Sequence, residues 1–587
     1  MRRAIAVVVL AGVTTAATYS LMDRHHVAQG AEITTAVQRG VVQALAAART
    51  SVSPAQASVM VAMERPRPNP VQMGKPGDPK WQQQLAGRLA QLPATAQGLS
   101  LPVGTADWRS ATKVPIGPYS FVLHGIVRYP QVPGRHPFVL LMPGNHGQCR
   151  SATGGDRCMQ DVTKGCPADE MPVDTTAGLV WAADLLASRG WIAEVVDTTP
   201  LVCAQGPEAV AVRAEILMAH LRRWEAWHAG VPGELTSPVT AQADLTRVAL
   251  VGHSTGADGV LAAAALLQHP ESNGLGNVQL RSIALVAPTD QVEGPPPPVE
   301  MGIILPTCDF DVYPLRGRAL LDRADVGQPG TRMAMWLLGG GSHNAFNQSW
   351  RDETVDIGLS NCDPGYRLGG DVQRVVLGRL VADWLQAGIS GEPLPEWLYG
   401  RASPPIAAAI DLRSVVLRAG RRTPDQQRIV SDGVDSLTAC EGRQCPSGVT
   451  RELPTWLAAW SRQRASLTWS WAAGDPASAT HAQVRIAALD GSPRDRPLLL
   501  RGAWLDASGR ETPAGTAEVL PPLDQAAEIN EVGTRPWPLA AIELPLPTGK
   551  ARSTLAGLRI YLDPTTAGVI AFGDVSLVSR HLGTSAP

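Results

Sequence analysis

Val248-Ala249-Leu250-Val251-Gly252-His253-Ser254-Thr255-Gly256-Ala257-Asp258-Gly259 runs from four apolar residues, through a serine flanked by glycines, into a run of small residues that continues to Ala265. The apolar run reads as a buried strand and the small-residue run as a helix. A turn this sharp needs glycine on both sides of the serine, because a Cβ there would collide with the backbone of the turn. Such a turn lifts the Ser254 hydroxyl out of the carboxyl edge of a sheet. It also leaves the first amides of the helix unpaired behind the serine, where a developing oxyanion would need them.

A Gly-x-Ser-x-Gly match arises easily by chance in a chain with 57 glycines, so its surroundings decide its meaning. Short apolar runs recur at Phe121 to Tyr129, Pro137 to Met142, Trp191 to Val196, Arg247 to Val251, Ser282 to Val286, Gly302 to Leu305 and Met333 to Leu338. Helical periodicity occupies Thr175 to Ser188, Pro207 to His228, Thr255 to Gln268 and Asp371 to Ala387. Near-continuous apolar strands separated by helices indicate a mostly parallel sheet covered on both faces, an α/β architecture. Beyond about residue 400 the pattern changes to alternation, as in Ala482 to Leu489, Leu498 to Leu505, Ile542 to Leu546, Leu558 to Leu562 and Val569 to Val578. These runs predict a smaller β-rich unit of sandwich or jelly-roll type. The expected division is 1–31 as a signal peptide or N-terminal anchor, 32–105 as a helical segment and Pro-rich linker, 106–398 as the catalytic unit and 399–587 as the β-rich accessory unit.

A serine hydroxyl needs a general base at neutral pH, and an α/β-hydrolase fold supplies it after the last strand of the catalytic sheet. His343 stands there, in Gly339-Gly340-Gly341-Ser342-His343-Asn344. The acid that orients the imidazole should follow the preceding strand, where the loop reads Pro306-Thr307-Cys308-Asp309-Phe310-Asp311-Val312-Tyr313-Pro314. Asp311 is the preferred acid, since it comes a few residues past the strand and just before an apolar-Pro turn; Asp309 is the alternative. The resulting order, Ser254 then Asp311 then His343, is that of an α/β-hydrolase triad. For the oxyanion hole the backbone N–H of Thr255 is the first candidate. The second is the N–H of Asn145, in Pro143-Gly144-Asn145-His146-Gly147, with the amide of His146 as its substitute. His146 is read as a cleft residue and His253 as packing beneath the turn. Asp258 is read as a helix-dipole residue, and Trp456, Trp460, Trp469 and Trp471 as core of the β-rich unit in preference to a sugar-stacking surface.

The same residues resemble a group of large exported bacterial α/β-hydrolases, distantly similar to cutinase-like polyester hydrolases and acetylhydrolases. The resemblance covers about 119 to 385 and rests on Leu140 to Cys149, Cys166-Pro167, Gly252 to Gly259, Cys308 to Gly317 and Ser342 to Asn347. It implies a serine hydrolase cleaving carboxylic esters without naming the ester. The sequence departs from the usual pattern at Pro143-Gly144-Asn145, where a His-Gly-Arg type loop is common, and at Thr255, where arginine is common. An imidazole base of ordinary pKa, about 6.5, implies activity that rises towards neutrality. No cofactor or metal is required, and the partner expected is a small-molecule or polymeric ester, with surface or polysaccharide contact through the C-terminal unit as a further expectation.

Met1-Arg2-Arg3 followed by the apolar run Ala4 to Ala17 has the order of an export signal, with an uncleaved membrane anchor as the alternative. The eight cysteines include no Cys-x-x-Cys pair, which favours disulfides over zinc. The expected bridges are Cys308 with Cys362, Cys440 with Cys445, and two among Cys149, Cys158, Cys166 and Cys203. A net charge of −2 offers no excess of one sign, so nucleic acid is not an expected partner.

Overall fold

The computed structural model describes most of residues 100–578; the main stretches outside the description are 1–99, 324–331, 352–366, 400–411, 418–426, 441–454, 472–478, 520–539 and 579–587. The expectation for an N-terminal signal or anchor, and that for a helical linker as far as residue 99, therefore fall outside the described residues; the linker expected to run to 105 ends earlier, because Val103 to Thr105 already pair with Arg128 to Pro130 in a strand.

Among the described residues nine strands form the principal sheet: β1 (Val103–Arg109), β2 (His124–Pro130), β3 (His136–Met142), β4 (Ile192–Val196), β5 (Ala243–His253), β6 (Leu280–Val286), β7 (Glu300–Pro306), β8 (Met333–Leu338) and β9 (Leu412–Leu417). Their spatial order is β1-β2-β4-β3-β5-β6-β7-β8-β9. The six strands from β4 to β8 are mutually parallel, while β1, β2 and β9 are antiparallel to their neighbours. The apolar runs are continuous because both faces are covered. In β3, Phe138, Leu140 and Met142 enter one core while Val139 and Leu141 enter the other, and in β5 Val248 and Leu250 oppose Ala249 and Val251 in the same way. Helices α1 (Val180–Ser188) and α4 (Gly370–Ser390) cover one face, and α2 (Pro207–His228) and α3 (Thr255–Leu267) the other. Fully burying one such aliphatic side chain contributes about 1.5–3 kcal/mol.

The C-terminal part is antiparallel β structure. In chain order its strands are β10 (Arg428–Asp432), β11 (Ser436–Cys440), β12 (Thr455–Trp460), β13 (Ser466–Ser470), β14 (His481–Ala488), β15 (Leu498–Asp506), β16 (Glu511–Val519), β17 (Ala540–Pro545), β18 (Leu555–Tyr561) and β19 (Gly568–Val578). Among the described residues they form two five-stranded sheets, β10-β13-β18-β15-β16 and β11-β12-β19-β14-β17, with one apolar cluster shared between them. Trp460 and Trp469 are fully buried in that cluster, and Trp456 and Trp471 pack against it. This is the core role expected of them.

The boundary expected at 398/399 is wrong in one respect. β9 lies beyond it, yet pairs with β8 along its whole length, from Met333 opposite Leu417 to Leu338 opposite Leu412. The chain thus completes the α/β sheet after α4 before entering the β-rich part. The change to alternation beyond about residue 400 suggested the break, but the open edge of β8 recruits the next apolar strand.

Two of the expected bridges among the first four cysteines are present, Cys149–Cys166 and Cys158–Cys203. Cys308 is also disulfide-bonded, while Cys362 and Cys445 lie outside the described residues. No helix among the described residues is long and apolar enough to cross a membrane.

Candidate active site

Ser254 sits between β5 and α3 with φ 57° and ψ −131°. That backbone conformation costs a non-glycine residue about 1–3 kcal/mol. The surroundings impose it: the Ser254 amide donates to Val286 O at 2.9 Å, and Ser254 O accepts from Ala257 N at 2.9 Å. The flanking glycines are obligatory. A Cβ on Gly252 would lie 2.5 Å from Ala257 Cα and from Gly256 O, and one on Gly256 would lie 2.5 Å from Met142 O. Ser254 occupies the N-cap position of α3, but its hydroxyl makes no capping bond. The residue type most used for capping is here left available for other chemistry.

The loop after β3 closes against this turn. A Cβ on Gly144 would meet Ser254 Cβ at 2.4 Å and Ser254 Oγ at 3.0 Å, so only glycine allows the approach. The Asn145 side chain is committed elsewhere: Nδ2 donates to Ala204 O at 2.7 Å, and Oδ1 accepts from the Arg213 guanidinium. What Asn145 has to offer a reacting oxygen is its backbone N–H. The N–H of Thr255, in the first turn of α3, lies ahead of the first intrahelical acceptor. Arg213, on α2, also donates to Leu201 O at 2.7 Å and Ala204 O at 3.2 Å. Burial lowers its pKa to about 10, with Asp258 opposing the shift.

His343 follows β8 through the glycine turn and is fully buried. The two loops that end β7 and β8 are zipped together: Thr307 N donates to Leu338 O at 3.0 Å, Cys308 N to Gly341 O at 2.8 Å and Gly340 N to Thr307 Oγ1 at 2.9 Å. Gln373 of α4 brackets the preceding residue, accepting from Ser342 N at 2.8 Å and donating to Ser342 O at 2.6 Å. His253 ties the histidine to the serine turn, since its Nε2 lies 3.1 Å from His343 O and the two rings are 4.8 Å apart. Burial, followed by the proximity of His343, pushes the His253 pKa well below 6.5. It is therefore a neutral donor to the carbonyl and packs beneath the turn as expected.

The acid on Nδ1 is Asp309, not Asp311. Asp309 Oδ2 lies 2.9 Å from His343 Nδ1, while its Oδ1 accepts the Val312 N–H at 2.7 Å, and the residue is 1% exposed. That second bond shapes the loop so that position 309 faces inward and position 311 outward. Asp311 instead lies on the other side of the imidazole, with Oδ2 3.4 Å from Nε2, and its side chain is 54% exposed. Counting residues past the strand could not separate the two, because the turn is set by a side-chain bond to Val312.

His146 stacks on Trp350 at 4.5 Å, and Trp350 also contacts the rings of His253 and His343. His146 Nε2 lies 3.0 Å from Asp156 Oδ2, and Arg150 pairs with the same carboxylate at 2.6 Å. Sequence reasoning passed over Trp350, Asp156, Gln373 and Arg213, which have no motif around them and reach the site only through long-range packing. Asp258 lies in the first turn of α3, as expected of a dipole residue, and it is also buried and accepts hydrogen bonds from Thr289 Oγ1 and Gln291 N. It anchors the loop that follows β6.

Among the described residues no group of three His, Cys, Asp or Glu side chains is placed to hold a metal ion. A groove of about 740 Å³ between β1, β2 and α1 is lined by Asp107, Arg128, Trp181 and Asp184. Its lining includes none of Ser254, His343, Asp309 and Asp311, and Arg128 and Asp184 already pair within it at 2.7 Å. No protein-family model matches the chain, and a search of curated proteins finds no significant relative.

Proposed function

We propose that this protein is an exported serine hydrolase of α/β-hydrolase fold that cleaves carboxylic esters through an acyl-enzyme on Ser254. The observation that carries this reading is Ser254 itself, held at φ 57° at the end of a central parallel strand, with Gly144 against its hydroxyl. The His343–Asp309 pair supports it from the next two loops. With Asp309 a carboxylate, Nδ1 carries the imidazole proton and Nε2 keeps its lone pair for the serine. Ser254 Oγ attacks the ester carbonyl as its proton passes to Nε2, and the N–H groups of Thr255 and Asn145 receive the oxyanion. Nε2 returns the proton to the leaving alcohol as the ester C–O bond breaks. Water then repeats the sequence on the acyl-enzyme and releases the acid. Export fits the disulfides, which persist in oxidising compartments.

The test is labelling with a fluorophosphonate probe beside turnover of a p-nitrophenyl ester and of a matched peptide amide. The wild type should label, Ser254→Ala should not, and the ester should be the faster substrate. A folded wild type that fails to label would refute the reading, and cleavage of the amide alone would reassign the protein as a peptidase.

A further inference from the structure

His343 has a carboxylate on each ring nitrogen, and the two differ in exposure. Asp309, on Nδ1, is 1% exposed and ties down its own loop. Asp311, 3.4 Å from Nε2, is 54% exposed, whereas Ser254 and His343 are almost wholly buried. Asp311 is thus the group of this set that an arriving molecule meets from solvent. Among the described residues it has no lysine or arginine partner. Three arginines of the site are committed to other partners: Arg150 to Asp156, Arg351 to Ser151 O, and Arg213 to Asn145 and two carbonyls.

We propose that Asp311 is a specificity-determining residue on the leaving-group side, selecting esters whose alcohol portion carries a positive charge. The inference rests on the proposed role of His343. In that chemistry Nε2 delivers its proton to the leaving oxygen, which must approach within a hydrogen bond, about 2.8 Å. A carboxylate 3.4 Å from Nε2 therefore stands within roughly 6 Å of that oxygen. A cationic centre on the alcohol carbon chain falls into its field. At this separation a partly solvated charge pair is expected to favour the cationic substrate roughly 3- to 30-fold.

The experiment compares kcat/KM for acetylcholine and for 3,3-dimethylbutyl acetate, its uncharged carbon isostere, in the full chain at low and high salt. The wild type should prefer the cationic ester, and the preference should shrink with salt. Asp311→Asn should bring the ratio close to one, and Asp311→Lys below one. A wild type without preference, or a preference that survives in Asp311→Asn, overturns the proposal. Fluorophosphonate labelling separates the two levels of inference. A wild type that does not label removes the catalytic reading beneath the proposal, whereas a folded Asp311→Asn that does not label shows that Asp311 orients the imidazole and overturns the specificity role.

Discussion

Asp309 and Asp311 stand two positions apart in the same loop, yet one is buried on Nδ1 and the other is exposed beside Nε2. Their functional weights should differ accordingly. Replacing Asp309 by Asn removes the acceptor that fixes the tautomer and steadies the imidazolium, so kcat for a p-nitrophenyl ester should fall roughly 10³–10⁴-fold with little change in KM. Asp311→Asn should lower it far less. Equal losses in the two variants, measured under one set of conditions, would show that the geometry on Nδ1 does not set the catalytic role.

At the scale of elements, the serine turn depends on neighbouring strands being held in register, and one polar pair fastens two of them. Asp197, just past β4, donates its amide to His124 O of β2 at 3.0 Å, and His124 Nδ1 lies 2.9 Å from Asp197 Oδ2. Burial works against both charges, but hydrogen bonds from His124 and Thr199 hold Asp197 down to about 2. Burial likewise opposes protonation of His124, and its bonds to Asp197 and Asp107 still leave its pKa raised above 6.5. The Asp197 contribution is complete above its ordinary pKa of 3.8 and disappears as pH falls through about 2. The His124 contribution is complete below 6.5 and disappears as pH rises through the raised value. Asp197→Asn should therefore cost most stability near pH 5–6, about 2 kcal/mol from the carboxylate shift. Melting temperatures of wild type and variant should converge towards pH 2 and narrow again in alkali. A constant difference across that range would mean that the pair is not linked to folding.

For the whole molecule, β9 makes the C-terminal part structurally continuous with the α/β sheet. Ala459, Ala487, Leu489, Val569 and Ala571 of the β-rich part belong to the same buried cluster as Leu250 and Val260, and Gln483 Nε2 donates to Val416 O at 2.7 Å. A chain ending at residue 398 would leave β8 with an unpaired edge and an uncovered apolar surface, both of which promote association. It should melt at least several degrees lower than the full chain and elute as aggregate on size exclusion. A monomer with an unchanged melting temperature would show that the α/β part is complete without β9.

The sequence by itself determined the serine turn, the apolar strands, the four covering helices and the placement of a histidine after the eighth strand. Each depends on local periodicity or on a backbone approach that only glycine permits, and both are written in adjacent residues. The core role of the C-terminal tryptophans was legible on a different ground, the general tendency of large aromatic side chains in β-rich regions to be buried. Tertiary structure alone decided that Asp309 takes Nδ1, because a side-chain bond to Val312 turns the loop. It alone placed Gln373, Trp350 and Arg213 around the site, since those contacts join residues far apart in the chain. It also assigned residues 412–417 to the α/β sheet, because an open strand edge is satisfied by whichever apolar strand the folded chain brings to it.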